Sequence, residues 1–178
     1  MALAKNAPKS QFMLSTEAFN EISDVLKELE ASTRAELAVF CDANGVPITH
    51  AGKPRAIDLT SLSALNAGNY AATREMARLI GESQGFKFLF LEGENKNIYL
   101  CNVGYDFLLS IVFAKTVALG MIRIYANKAV KQISGILEKA QKQEQMAEEF
   151  LDVEFNTLLG KAFDASFRKP NSSTKTES

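Results

Sequence analysis

A single histidine, His50, and two cysteines, Cys41 and Cys101, are the whole stock of imidazole and thiol in the chain. One imidazole cannot furnish a multi-histidine metal site, and it argues against a Ser-His-Asp triad. His50 stands at the end of a strand-like run and reads as a solvent-edge residue. Cys41 and Cys101 close the runs Leu37 to Cys41 and Ile98 to Cys101. Two such residues make no disulfide framework and read as buried structural thiols. Glu148 and Asp152 are carboxylates at i, i+4. Acid–base chemistry would need a pocket that separates their pKa values, and nothing around them suggests one, so they read as a solvated helical face. Gly52-Lys53 runs into Pro54 and lacks the upstream glycine of a phosphate-binding loop. A glycine-rich dinucleotide fingerprint is absent as well. The residues therefore point to no catalytic group, no metal site and no cofactor, and leave binding as the chemistry to explain.

The elements that would carry a binding surface fit in one domain. The chain has 178 residues, 47% apolar and 23% charged, with a net charge of −1, an ordinary soluble composition. The charge balance lacks the basic excess of a nucleic-acid binder. No run reaches the roughly 18 apolar residues of a membrane span, and Met1 to Ser15 lack the continuous apolar stretch of a signal peptide. A cytoplasmic location follows as the expectation.

Residues 1–15 are weakly patterned and read as a flexible arm. Ser15 is an N-cap candidate, and Phe19, Ile22, Val25, Leu26 and Leu29 recur at helical spacing, which predicts a first helix over 16–31. A run over 35–42, the turn Asp42-Ala43-Asn44-Gly45 and a run over 46–51 read as a hairpin. Asp58 caps a second helix over 59–80, closed by Gly81. Runs at 86–92, 97–103 and 107–113, separated by short turns, predict an antiparallel meander. Leu119, Ile122, Ala126, Ala129, Ile133, Ile136 and Ala140 mark a third helix. The order α-β-β-α-β-β-β-α argues for an α+β fold with one five-stranded antiparallel sheet. Beyond Lys142 the acids Glu144, Glu148, Glu149, Asp152 and Glu154 accompany an apolar set of Phe150, Leu151, Phe155, Leu158, Leu159 and Phe163. That composition predicts an acidic amphipathic C-terminal helix over 143–165, followed by a disordered tail over 166–178.

Two features ask for a partner. The second helix carries an apolar stripe of Leu62, Leu65, Met76, Leu79 and Ile80, read as its core face. A second face holds Ala64, Ala67, Gly68, Ala71 and Ala72. Gly68 inside a helix costs about 1 kcal/mol relative to Ala, so close contact with another backbone should offset it. That contact is either an external helix or the sheet beneath. Phe86, Phe88 and Phe90 alternate with Leu89 and Leu91, so the third strand is apolar on both sides. Such a strand is central or is covered by a second copy, which favours a homodimer.

The run Ile57-Asp58-Leu59-Thr60-Ser61-Leu62-Ser63-Ala64-Leu65-Asn66-Ala67-Gly68-Asn69-Tyr70-Ala71-Ala72 resembles the roadblock/dynein light chain family in its bacterial MglB type. So do Ala77 to Glu82, Val103-Gly104, Ser110 to Phe113 and Leu119 to Arg123. The resemblance covers residues 16–142 and implies a roadblock fold for them. It also implies a homodimer joined through the third strand at Phe86, Phe88 and Phe90, with the two second helices side by side. The partner it implies is a small Ras-like GTPase of MglA type in its GTP-bound form. The chain would activate that GTPase without an arginine finger, by repositioning the GTPase's own catalytic residues, and so serve cell polarity and motility. Enrichment at a cell pole is left open. A scaffold that binds a GTPase without activating it is the alternative. The GTPase-binding residues so implied are Ala64, Ala67, Gly68, Ala71, Arg74, Glu75 and Lys128. A second contact through Phe150, Phe155, Leu158, Leu159 and Phe163 would dock the C-terminal helix, either on the GTPase or back on the dimer. Glu21 and Asn127 stand where the family carries basic residues, a difference that bears on the strength of activation.

Overall fold

The computed structural model describes residues 14–54 and 57–167. The elements are α1 (Thr16–Thr33), β1 (Leu37–Asp42), β2 (Pro47–Gly52), α2 (Leu59–Leu79), β3 (Phe88–Glu92), β4 (Lys96–Gly104), β5 (Phe107–Ala114) and α3 (Leu119–Phe167). The sheet runs β2-β1-β5-β4-β3, and each neighbouring pair is antiparallel. This is the predicted α+β order and single five-stranded sheet.

Capping explains where the first two helices begin. The Ser15 hydroxyl accepts the Ala18 N–H at 3.2 Å. Asp58 accepts the Thr60 N–H at 3.0 Å and the Ser61 hydroxyl, and these bonds hold its carboxyl below the usual carboxylate range. Each uses a side-chain oxygen to satisfy a donor that the first turn leaves open.

Alternation along the strands divides the molecule into two layers of packing. Ala38, Phe40, Tyr99, Leu109, Ile111 and Phe113 face α1 and α3, meeting Ile22, Leu26, Ile122, Ala126, Ile133 and Leu137 in the main core. Leu37, Val39, Cys41, Leu100, Leu108 and Val112 point the other way, toward α2. So α1 and α3 cover one side and α2 alone covers the other.

The expected core face of α2 is overturned. Its buried residues are Ser63, Asn66, Ala67, Thr73 and Ala77. Leu65, Met76, Leu79 and Ile80 are exposed, Leu79 by 75%; of the predicted stripe only Leu62 packs on the sheet. The reason lies in close approach. Small side chains let the helix lie low on the strands. The buried Asn66 among them is satisfied, since its amide donates to the Ser110 hydroxyl at 2.9 Å and so avoids the cost of an orphaned group.

Gly45 fixes the height of α2. It sits at φ +87°, and a Cβ there would come within 2.5 Å of the Ala64 Cα. Gly45→Ala therefore combines a left-handed backbone with a collision against backbone. The expected cost is about 1–3 kcal/mol, a fall in melting temperature of roughly 3–10 °C, measured by thermal unfolding.

Most strand and helix ends fall within two residues of expectation, and the ends that bear on the site are these. Leu14 packs against the core and Ser15 caps α1, so the predicted arm is ordered at its last two residues; residues 1–13 lie outside the described ones. β3 starts at Phe88, which leaves Phe86 ahead of the strand. Residues 143–165 are helical, as expected, and belong to α3. Of the predicted tail, Ser166 and Phe167 are still helical and 168–178 lie outside the described residues. The chain nonetheless forms two compact units, one ending at Ala140 and the other starting at Gln141.

Candidate functional site

At about 100° per residue, the outward side of α2 divides into a crest and two unlike flanks. Gly68, Glu75 and Leu79 lie along the crest. One flank is apolar, with Leu65, Ala72, Met76 and Ile80. The other is small and basic, with Ala64, Ala71, Arg74 and Arg78. All of these are exposed. A Cβ on Gly68 would meet nothing within 4 Å among the described residues.

The small flank borders a half-open cleft of about 460 Å³. Tyr70, Arg74 and Arg78 of α2 form one wall, and Asn102, Tyr105 and Asp106 at the β4–β5 turn form the other. The Asn102 amide donates to the Tyr70 hydroxyl at 2.6 Å and ties the walls together. Arg78 is held by Glu75 at 2.9 Å. Nothing in the sequence pattern pointed to Tyr70, Asn102 or Tyr105, because their juxtaposition is purely tertiary.

Some of the expected docking residues come together here and others do not. Ala64, Gly68, Ala71, Arg74 and Glu75 share the exposed side of α2. Ala67 is turned inward, 7% exposed, against Cys41, Leu100 and Leu108, so it supports the helix from below and is not a surface contact. Lys128 belongs to α3 on the opposite side of the sheet. It pairs with Glu28 of α1 at 2.6 Å, and that carboxylate raises its pKa. Glu21 lies on the same side, paired with Lys139 at 3.4 Å.

Phe88 and Phe90 both lean toward α3. Phe88 stacks on Tyr99 with ring centroids 4.9 Å apart, under the Arg123 guanidinium, and Phe90 stacks on Phe113. Each remains half-buried at the edge strand. The two edges of the sheet are unlike. β2 begins with Pro47 and its pairing with β1 is interrupted by a register shift, both of which discourage further strand addition. β3 has neither feature and is apolar at Phe88, Leu89, Phe90 and Leu91.

In the unit that starts at Gln141, Phe150, Phe155, Leu158 and Leu159 are exposed. They do not form one stripe: Phe150 shares a side with Met146 and Val153, while Phe155, Leu158 and Leu159 share another with Leu151, about 140° away. Phe163 lies in α3, and its side chain is outside the described residues.

The thiols carry no nucleophilic chemistry. Burial pushes Cys41 up to about 11 and Cys101 up to about 12, far from thiolate formation at neutral pH. Among the described residues no cluster of His, Cys, Asp and Glu could hold a metal ion, and no helix is long and apolar enough to cross a membrane.

The model of the Roadblock/LC7 domain matches residues 21–113, from within α1 to the end of β5. The chain belongs to the Roadblock/LC7 family. Within that family it is similar to MglB. The structure of Myxococcus xanthus MglB is 34% identical, covers 72% of this chain and 96% of its own length, and superposes with a TM-score of 0.68. The gliding protein MglB from Thermus thermophilus is 30% identical, covers 72% and 97%, and also gives 0.68. An uncharacterized protein of Aquifex aeolicus (strain VF5) is 22% identical over 103 residues, 56% of this chain; the match spans 64% of that relative's length. The roadblock assignment thus rests on the same elements that build the α2 surface.

Proposed function

We propose that this roadblock protein is a homodimeric binding module that activates a small Ras-like GTPase of MglA type in its GTP-bound form, in bacterial cell polarity and motility. The observation that carries the reading is the exposed side of α2, with Gly68 and Ala71 presented on a MglB-like frame. Small residues at Ala64, Gly68 and Ala71 leave the α2 backbone open to close approach between an apolar and a basic set of side chains. The likeness to MglB supports a reading in which this surface holds the partner's own catalytic groups in place, so that the chain acts as an activator without an active site of its own. The motility context is supported by the name of the Thermus relative, a gliding protein. The deciding experiment measures GTP turnover by the cognate GTPase with and without this protein. Stimulation supports activation. Binding without stimulation would establish the second reading, a non-activating scaffold. Glu21 and Asn127, where the resemblance implies basic residues, bear on the strength of activation.

Activation requires no arginine finger from this chain. Arg74 and Arg78 are the arginines nearest the surface, and both sit on a regular helix with little freedom to enter a nucleotide site. A finger contributes about 10³–10⁵ in rate. Arg74→Ala and Arg78→Ala are each expected to keep the saturated rate within about tenfold, roughly 1.4 kcal/mol. A collapse to the unstimulated rate at either position refutes the mechanism.

The second unit supplies a further contact. Its exposed apolar residues fit helix-in-groove recognition, and its acids suit a basic surface on the GTPase. Truncation after Lys142 is expected to leave dimerisation and the melting transition nearly unchanged while weakening GTPase binding, and to remove part of its salt dependence. Loss of the fold on truncation would make the segment a core element instead.

A further inference from the structure

We propose that the buried Asn66–Ser110 hydrogen bond sets the rotation of α2 on the sheet, and so decides which side of the helix the protein offers to a partner. Asn66 is in this sense a positioning residue. Its consequence for the GTPase rests on the α2 docking reading above; the rotation itself does not.

Burial of apolar surface by itself favours a different rotation. Leu65, Met76, Leu79 and Ile80 are exposed, while Ser63, Asn66, Ala67, Thr73 and Ala77 are buried. At 100° per residue the two sides lie roughly 110° apart. The sheet under α2 presents Leu37, Val39, Leu100, Leu108 and Val112 and would accept the leucines. The hydrophobic effect is non-directional, so it does not hold the small side down against that alternative. A hydrogen bond has a direction. Ser110 stands between Leu108 and Val112 on β5, with Leu100 and Val39 opposite it on the neighbouring strands. It is fully buried, and the buried Asn66 amide donates to its hydroxyl at 2.9 Å. Turning α2 to bury the leucines would swing Asn66 away and leave that hydroxyl without its partner in an apolar layer. A second tie lies one turn on, where Asn102 of β4 donates to the Tyr70 hydroxyl at 2.6 Å. Both ties grip the same side of the helix, at i and i+4, and the same rotation breaks both. Selecting one register among apolar alternatives is the best-attested use of a buried polar group. The leucine side is thereby left outward for a second copy, and the small flank for the GTPase.

The test removes both partners at once, because replacing a buried pair on both sides spares the cost of an orphaned group. In the full chain, Asn66→Ala with Ser110→Ala takes away the bond and adds no large apolar anchor on the inward side. Ala67→Cys, added to this variant and to the wild type, reports the rotation. Position 67 lies against Cys41, Leu100 and Leu108 and turns to solvent if the leucines turn in. Both native thiols are buried and label slowly. In the wild-type background the thiol at position 67 is expected to stay protected. In the double variant it is expected to label about a hundredfold faster or more, as a locally opened site does, with a cooperative melt retained. Affinity for the MglA-type GTPase of the same organism, loaded with a non-hydrolysable GTP analogue, is expected to fall at least tenfold in titration calorimetry. Ile133→Val, which thins the core on the other side of the sheet, controls for lost stability alone and leaves the thiol protected. A folded double variant whose thiol stays protected overturns the proposal, whatever its affinity. A thiol exposed at an affinity within twofold of wild type supports the rotation and sinks the α2 docking reading instead. If the double variant fails to melt cooperatively, Ser110→Ala alone is read by the same two measurements.

Discussion

Ala71→Arg is expected to abolish binding of the GTP-loaded GTPase and leave the protein folded and dimeric. Ala71 is exposed on the small flank of α2, three residues after Gly68 and four before Glu75. A guanidinium there adds bulk and charge where the proposed docking requires close approach to a small side chain. Desolvating an unpaired charge costs several kcal/mol, and every 1.4 kcal/mol is tenfold in affinity, so a loss of about 100-fold or more is the expected reading by calorimetry. Stability should not change, because the buried side of α2 is Ser63, Asn66, Ala67, Thr73 and Ala77, and Ala71 is not part of it. Unchanged affinity would place the partner elsewhere on the molecule.

Leu65→Asp combined with Leu79→Asp should turn the dimer into a monomer. The two residues are 68% and 75% exposed in the protomer. Leu65 lies on the apolar flank of α2 with Met76 and Ile80, and Leu79 lies on the crest beside it. Paired copies joined at the bare β3 edge would set the two α2 helices side by side and cover that side. Two carboxylates from each copy at the joint are expected to raise the dissociation constant by two or more orders of magnitude, about 3 kcal/mol or more. Light scattering at micromolar concentration reads the mass, and circular dichroism checks the fold. This pair is a cleaner probe than Phe88→Asp or Phe90→Asp. Phe88 stacks on Tyr99 and Phe90 on Phe113 inside the protomer, so a charge at either position damages the core as well as the joint. A wild type that is monomeric at the same concentration would overturn the dimeric architecture.

Local pattern by itself determined the order and type of every element up to β5, because caps, turn residues and apolar periodicity act over a few neighbours. Ser15 and Asp58 mark helix starts whatever lies across the sheet, and Asp42-Ala43-Asn44-Gly45 makes a turn on its own. The family resemblance in the run from Ile57 to Ala72 was legible for the same reason. Which side of α2 faces inward was decided only by the tertiary structure. Periodicity says that a helix has a stripe, and hydrophobicity says that a stripe prefers burial. It cannot say whether a strand layer or a second molecule does the burying. Here low packing on the sheet, the Asn66–Ser110 bond and the Gly45 contact favour the small, polar side inward, and the leucines are left for another surface. The same limit separated Lys128 from the α2 residues. The two sides of a sheet are one residue apart along a strand, yet helices distant in sequence are assigned to those sides only when the sheet closes.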